Sequence, residues 1–320
     1  MMIIDRLIAN IDEKQCPIVV GLDPALELIP EFLCKQAENV YGNTLRGASE
    51  ALYLFNSELL HTLCSVIPAV KLQMACYELY GKWGIDAFDR TVDLAKKLGL
   101  LVINDSKRND IGNTASFYAK GHLGKVPLFD GHDDVDKADF LTINPYMGDD
   151  TIEPFVTECI NYNKGLFILA RTSNKSAGQY QQALVDGIPL YQKIARDIQQ
   201  LSTNHLGIRG FSPFGAVVGA TWPDEARQLR DDMPNVFILM PGYGAQGGTA
   251  DQVTEAFNTD GYGAVVNSSR GIIFAYRLPD YQERFPYEEE FTQASFQAIS
   301  SMREDLLRTL KQAGRLPKNW

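Results

Sequence analysis

Leu100-Leu101-Val102-Ile103-Asn104-Asp105-Ser106-Lys107-Arg108-Asn109-Asp110-Ile111-Gly112-Asn113-Thr114-Ala115 runs from an apolar tetrad into charges and then into small, helix-capping residues. An apolar run of strand length that opens onto charge reads as the C-terminal end of a buried parallel strand. If Asp105 and Lys107 are both extended, their side chains share a face, because strand side chains repeat every two residues. A carboxylate and an ammonium side by side are costly to desolvate unless paired. The cluster is therefore a candidate for chemistry rather than for stability.

Seven more runs of the same kind flank this one. They are Pro17-Ile18-Val19-Val20-Gly21-Leu22, Ala69-Val70-Lys71-Leu72, Phe140-Leu141-Thr142-Ile143, Gly165-Leu166-Phe167-Ile168-Leu169-Ala170, Gly215-Ala216-Val217-Val218-Gly219-Ala220, Val236-Phe237-Ile238-Leu239-Met240 and Gly263-Ala264-Val265-Val266. Helical periodicity lies between them: Ala51, Leu54, Phe55, Leu59 and Leu63 mark one face, Val92, Ala95 and Leu98 a second, Leu190, Ile194, Ile198 and Leu201 a third. Eight strands alternating with helices predict an α/β fold, a (β/α)8 TIM barrel, as a single domain over residues 1–320. The alternative is an open doubly wound sheet, but Gly21-Leu22-Asp23-Pro24 lacks the Gly-rich dinucleotide turn such a sheet carries after its first strand. Gly121–Lys137, with four Asp, reads as a surface insertion, and Tyr287–Ala313 as a C-terminal helical tail stopped by Gly314.

Of the 320 residues 45% are hydrophobic and 22% charged, as in an ordinary globular chain. No run approaches the ~18 uninterrupted apolar residues of a membrane span. The start, Met1-Met2-Ile3-Ile4-Asp5-Arg6-Leu7, does not have the pattern of a secretory signal. The cysteines Cys16, Cys34, Cys64, Cys76 and Cys159 are odd in number and show no Cys-x-x-Cys spacing, so free thiols in a reducing cytoplasm are expected. His122 and His132 flank Asp130, Asp133 and Asp134, but ligands on an acidic loop lack a supporting shell, and no metal is assigned. A net charge of -10 argues against a nucleic-acid partner yet leaves room for a small anionic ligand held by local cations and backbone amides.

Barrel function sits at the C-terminal strand ends. Those ends carry Asp23; Lys71; Asp105, Lys107 and Asp110; Asn144; Arg171-Thr172-Ser173-Asn174; Thr221; Gly242 to Gly248; and Asn267-Ser268-Ser269-Arg270. Glycines after the seventh strand and Arg270 after the eighth suit a phosphate, which glycine amides and a forked cation bind well. The plainer reading is Gly-rich turns beside a surface arginine. Lys71 interrupts an apolar strand, and either snorkels from an edge or pairs in the barrel mouth with the acids of strand three. Asp23 could equally be an Asp-Pro turn.

Together these residues resemble the orotidine 5'-monophosphate decarboxylase family, in particular its longer bacterial subfamily, type 2. Asp105-x-Lys107-x-x-Asp110-Ile111-Gly112-x-Thr114 is similar to the family's Asp-x-Lys-x-x-Asp motif, with Lys71 upstream, and the likeness spans roughly residues 15 to 275. The insertion and the tail are departures that leave this motif untouched. The resemblance implies Lys71, Asp105, Lys107 and Asp110 as catalytic residues. It implies Asp23, Ile111, Thr114, Ser173, Gln246 and Arg270 as substrate-binding, with Ser173 at the pyrimidine and Gln246 and Arg270 at the phosphate. It further implies a homodimer in which Asp110, Ile111 and Thr114 serve the other subunit's site. The reaction would take orotidine 5'-monophosphate to uridine 5'-monophosphate and carbon dioxide without metal or organic cofactor. Rival expectations are a metal-dependent sugar-phosphate decarboxylase or epimerase, a Schiff-base aldolase or isomerase, and an inactive nucleotide-binding protein.

Overall fold

A computed structural model describes residues 1–134, 137–244 and 247–320. Eight parallel strands close on themselves: β1 (Ile18–Leu22), β2 (Ala69–Gln73), β3 (Leu101–Arg108), β4 (Phe140–Ile143), β5 (Gly165–Arg171), β6 (Ser212–Val218), β7 (Val236–Pro241) and β8 (Ala264–Ser268). Each pairs with its successor, and β8 returns to β1 through Ile18 opposite Val266. This is a TIM barrel, as the apolar runs predict. The runs are continuous rather than alternating because both faces are covered: helices outside, packed side chains within.

The helices of ten or more residues are α1 (Ile3–Lys14), α2 (Glu31–Tyr41), α3 (Leu45–Leu63), α4 (Gly81–Lys97), α5 (Gly112–Leu123), α6 (Asp149–Tyr162), α7 (Leu190–Ser202), α8 (Pro223–Asp232) and α9 (Phe291–Gln312). None of the described helices is long and apolar enough to cross a membrane. One core lies between strands and helices. A second fills the barrel with Val19, Ala69, Leu101, Ile103, Phe140, Phe167, Phe237 and Val265, and α1 adds Ile4, Leu7, Ile8 and Ile11 to it. Thus α1 plugs the end of the barrel opposite the strand C-termini. It is pinned by Asp5, which accepts from the amides of Ile208 and Arg209 at 3.2 Å each.

Three regions depart from expectation. Residues 121–123 still belong to α5, and Lys125–Pro127 then pairs with His132–Asp134 as a hairpin rather than a loop. Gly131, at φ 82°, supplies the left-handed backbone its turn needs. The predicted tail is the barrel's last helix: α9 buries Phe291, Ala294, Ile299, Met302, Leu306 and Leu310. Phe291 stacks on Phe55 of α3 at 5.3 Å. In α7 only Ile198 of the predicted stripe is buried, whereas Leu190, Ile194 and Leu201 are half-buried. They border a cavity of about 1040 Å3 that separates α6 from α7 over the outside of β5.

Candidate active site

The strand register builds a charge array at the barrel mouth. Gly21 of β1 pairs with Lys71 of β2, and Gln73 of β2 pairs with Asp105 of β3. The Lys71 ammonium lies 2.7 Å from Asp105 Oδ2 and 3.4 Å from Asp23 Oδ1. The Lys107 ammonium lies 2.6 Å from Asp105 Oδ1. Asp105 thus sits between two cations, and Lys71 sits between two acids. Lys71 is therefore neither snorkelling nor at an edge; it is 4% exposed within a closed barrel.

Burial alone would push the Lys71 ammonium down, but the charges of Asp23 and Asp105 outweigh it and hold its pKa above the ordinary value. Burial alone would likewise raise Asp105. Lys71 and Lys107 overcome it and keep this carboxyl well below the usual carboxylate range. Lys71 and Asp105 therefore both stand charged at neutral pH.

Lys107 does not reach Asp105 by strand alternation. Its backbone is left-handed, at φ 52°, and the pairing of β3 with β4 shifts register between Asn104 and Arg108. A non-glycine residue held there costs about 1–3 kcal/mol, so the surrounding bonds must fix it. Thr142 of β4 does so: its hydroxyl accepts from the Lys107 amide at 2.9 Å and donates to Asp105 Oδ1 at 2.8 Å. Gln73 adds support from β2, its amide nitrogen donating to the Asp105 carbonyl at 2.6 Å and to Oδ2 at 3.2 Å once the amide is turned to suit its neighbours. The sequence reading missed Thr142 as a partner, because its only signal is one hydroxyl inside an apolar strand.

Asp110, Ile111 and Thr114 do not join this array within the chain. They follow β3, Ile111 and Thr114 exposed and Asp110 half-buried, and the Asp110 carboxylate accepts from the Ile111 amide at 2.8 Å. Ser173 follows β5 and is half-buried, and Arg270 follows β8 and is exposed. The glycine loop after β7 is tight: Gly244 N donates to Gly248 O at 2.9 Å and Gly248 N to Gly242 O at 3.1 Å. Gln246 lies outside the described residues. Gly21 must be glycine, since a Cβ there would stand 1.8 Å from Ser269 Oγ, so β1 passes directly beneath the residue before Arg270. Asn267, one turn of the pleat below, buries an Oδ1 with no hydrogen-bond partner. Among the described residues no group of three or more His, Cys, Asp or Glu is arranged to hold a metal ion. His122 instead stacks on Tyr118 and approaches Asn104 Nδ2 at 3.3 Å.

A closed barrel with an acid and two lysines interlocked at its mouth defines a class, the TIM-barrel enzymes that work on a small ligand at the strand C-termini. Residues 17–279 match the family described as orotidine 5'-phosphate decarboxylase / HUMPS, and the chain belongs to it. It is 40% identical over 266 residues to the orotidine 5'-phosphate decarboxylase of Rhodopirellula baltica, covering 82% of this chain and 85% of the relative. To that of Clostridium acetobutylicum it is 38% identical over 310 residues, covering 97% and 100%. Among solved structures, OMP decarboxylase of Leishmania donovani superposes with a TM-score of 0.67 at 25% identity, over 95% of this chain and 99% of the other.

Proposed function

We propose that the whole chain, as one catalytic domain, converts orotidine 5'-monophosphate to uridine 5'-monophosphate and carbon dioxide. The observation that carries the reading is Asp105 buried between Lys71 and Lys107 at 2.7 and 2.6 Å. Loss of carbon dioxide leaves an electron pair at C6 of the pyrimidine with little delocalisation. Catalysis needs fixed positive charge there and a proton. In this reading the Lys107 ammonium faces C6, stabilises the developing carbanion and then protonates it. Asp105 lies beside the substrate carboxylate. At about 4 Å, two such charges repel by about 4 kcal/mol at an effective dielectric of 20, and that repulsion vanishes as the carboxylate leaves. Lys71 and Asp110 complete the alternation of charge that keeps Lys107 aimed.

Asp23 and Ser173 would hold the nucleoside, and Arg270, Gln246 and the glycine loop the phosphate. Its binding energy is spent on ordering the remote reacting carbon. The chemistry calls on no metal or organic cofactor. We further infer a homodimer, with Asp110, Ile111 and Thr114 completing the neighbouring subunit's site, and a cytoplasmic location, from the five unpaired cysteines. The test is the ultraviolet change of orotidine 5'-monophosphate on decarboxylation, with and without a chelator. Turnover indifferent to the chelator is expected. Binding without turnover, or turnover that the chelator stops, would refute it.

A further inference from the structure

At the C-terminal end of β5 an arginine is wholly buried. Arg171 is 0% exposed, and the mechanism above does not use it. It lies immediately before Thr172-Ser173. Its guanidinium Nε is paired with Glu225, in the first turn of α8, and Nη2 donates to the same carboxylate at 3.3 Å. The Trp222 ring lies against it at 4.3 Å. Nη1 donates to Gln181 Oε1 at 3.1 Å. A buried guanidinium needs such partners, since its desolvation is otherwise uncompensated.

Every one of those partners except Glu225 also grips Thr172. Gln181 Oε1 accepts from the Thr172 amide at 3.0 Å, and Gln181 Nε2 donates to the Thr172 hydroxyl at 2.7 Å. Trp222 Nε1 donates to the Thr172 carbonyl at 3.1 Å. The Thr172 hydroxyl in turn donates to Asn174 Oδ1 at 2.7 Å. All three polar groups of Thr172 are therefore tied to the Arg171 assembly or to its own loop. On the inner side Gly219 leaves no slack, because a Cβ there would lie 2.8 Å from Ser173 Cα. On the outer side packing does not help. Thr172 and Gln181 line the cavity of about 1040 Å3 between α6 and α7. Hydrogen bonds do here what helix packing does elsewhere around the barrel.

We propose that Arg171 is a positioning residue which, through Gln181 and Trp222, locks Thr172 and so aims Ser173 at the pyrimidine. This rests on the reading of Ser173 as the pyrimidine contact. A side chain that discriminates a base must be held to a fraction of an ångström, and a loop held by three hydrogen bonds from two side chains that rest on a rigid cation meets that demand.

The test is a double-mutant cycle on kcat/KM, with thermal unfolding followed in parallel. Gln181→Met removes both ties to Thr172 at nearly constant length and is expected to lower kcat/KM about tenfold, as for loss of a net hydrogen bond or two. Gln181→Glu keeps the acceptor for Arg171 and for the Thr172 amide and is expected to restore most of the activity. Trp222→Phe keeps the ring over the guanidinium, drops the tie to the carbonyl and provides the same measurement should Gln181→Met fold poorly. In a Ser173→Ala background, Gln181→Met is expected to cost nothing further, because there is no longer a side chain to aim. Losses that multiply instead, or a Gln181→Glu as poor as Gln181→Met, would overturn the positioning role while leaving Ser173 in place. An undiminished Ser173→Ala enzyme would remove the pyrimidine contact itself and the proposal with it.

Discussion

At the residue scale, the lysines on either side of Asp105 do different work, and their burial tells them apart. The Lys71 side chain is 5% exposed and the Lys107 side chain 42%. Removing one partner of a buried pair leaves an uncompensated charge and costs about 3–5 kcal/mol, whereas an exposed pair is worth about 1 kcal/mol or less. Lys71→Met should therefore shift the urea midpoint strongly, with activity falling as the fold fails. Lys107→Ala should unfold near the wild-type midpoint, bind uridine 5'-monophosphate in a calorimeter, and show no decarboxylation. Near-normal turnover of that variant would sink its role at C6. The pH dependence follows from the signs. Asp105 is held below its ordinary pKa, so its contribution to stability is present above that ordinary value and is lost as pH falls through the depressed one. Lys71 is held above its ordinary pKa, so its contribution is complete below that value and is lost as pH rises through the raised one. The array therefore stabilises the fold across the whole neutral range. Acid unfolding monitored by circular dichroism should move to higher pH in Lys71→Met, since Asp105 then loses one of the two cations that keep it ionised.

At the element scale, strands were legible and their corners were not. Each barrel strand is a continuous apolar run because it is covered on both faces, and all eight runs became strands of the closed sheet. Lys71 and Asp105 were legible together because an interrupted apolar strand beside a strand-end acid has few inexpensive explanations. The left-handed turn at Lys107 was not, since no residue near it is glycine and the register shift depends on Thr142, contributed by a different strand. Nor was the Arg171 assembly, whose Glu225 partner lies 54 residues away. The C-terminal segment shows the same limit in reverse: its helical character was plain, but its place was not. Amphipathic periodicity says that a face is buried and is silent on which surface buries it. Because α9 closes the wall rather than trailing from it, Phe291 is as much a core residue as any strand valine. It is 2% exposed, between Phe55 and Tyr276. Phe291→Ala should destabilise the protein by about 3–5 kcal/mol in urea titration, the usual cost of emptying an aromatic site. The KM of the folded fraction should be unchanged, since Phe291 lies in the core between Phe55 and Tyr276, whereas the α9 residue that reaches the glycine loop is Asp305, which accepts from the Tyr243 hydroxyl at 2.9 Å. A shift under 1 kcal/mol would mean that this helix is dispensable.

At the scale of the molecule, the segments that follow β2, β3 and β4 carry large exposed apolar side chains. Leu79 after β2, Ile111 after β3, Phe117 in α5, and Tyr146 and Met147 after β4 are all exposed, and these segments are tied to one another by the Arg108–Glu78 ion pair and by Asn109 donating to the Asn144 carbonyl. Large apolar side chains gathered at one edge of a site mark a surface that another molecule covers. Asp110 and Thr114 lie in the same segment as Ile111 and Phe117, and among the described residues neither side chain hydrogen-bonds to Lys71, Asp105 or Lys107. The proposed homodimer joins these facts. A two-fold axis through the patch would bring each Asp110 to the other chain's Lys107 and bury the apolar rim at the same time. Lys107→Ala and Asp110→Ala should each be inactive alone. After subunit exchange at equal concentration, half of the dimers are hybrids, and each hybrid holds one site with both residues intact, so the mixture should recover roughly one quarter of wild-type activity. Differently tagged chains that co-purify would verify the exchange. Hybrids that form and stay inactive would mean that Asp110 serves its own chain's site, reached by a loop movement rather than by a partner.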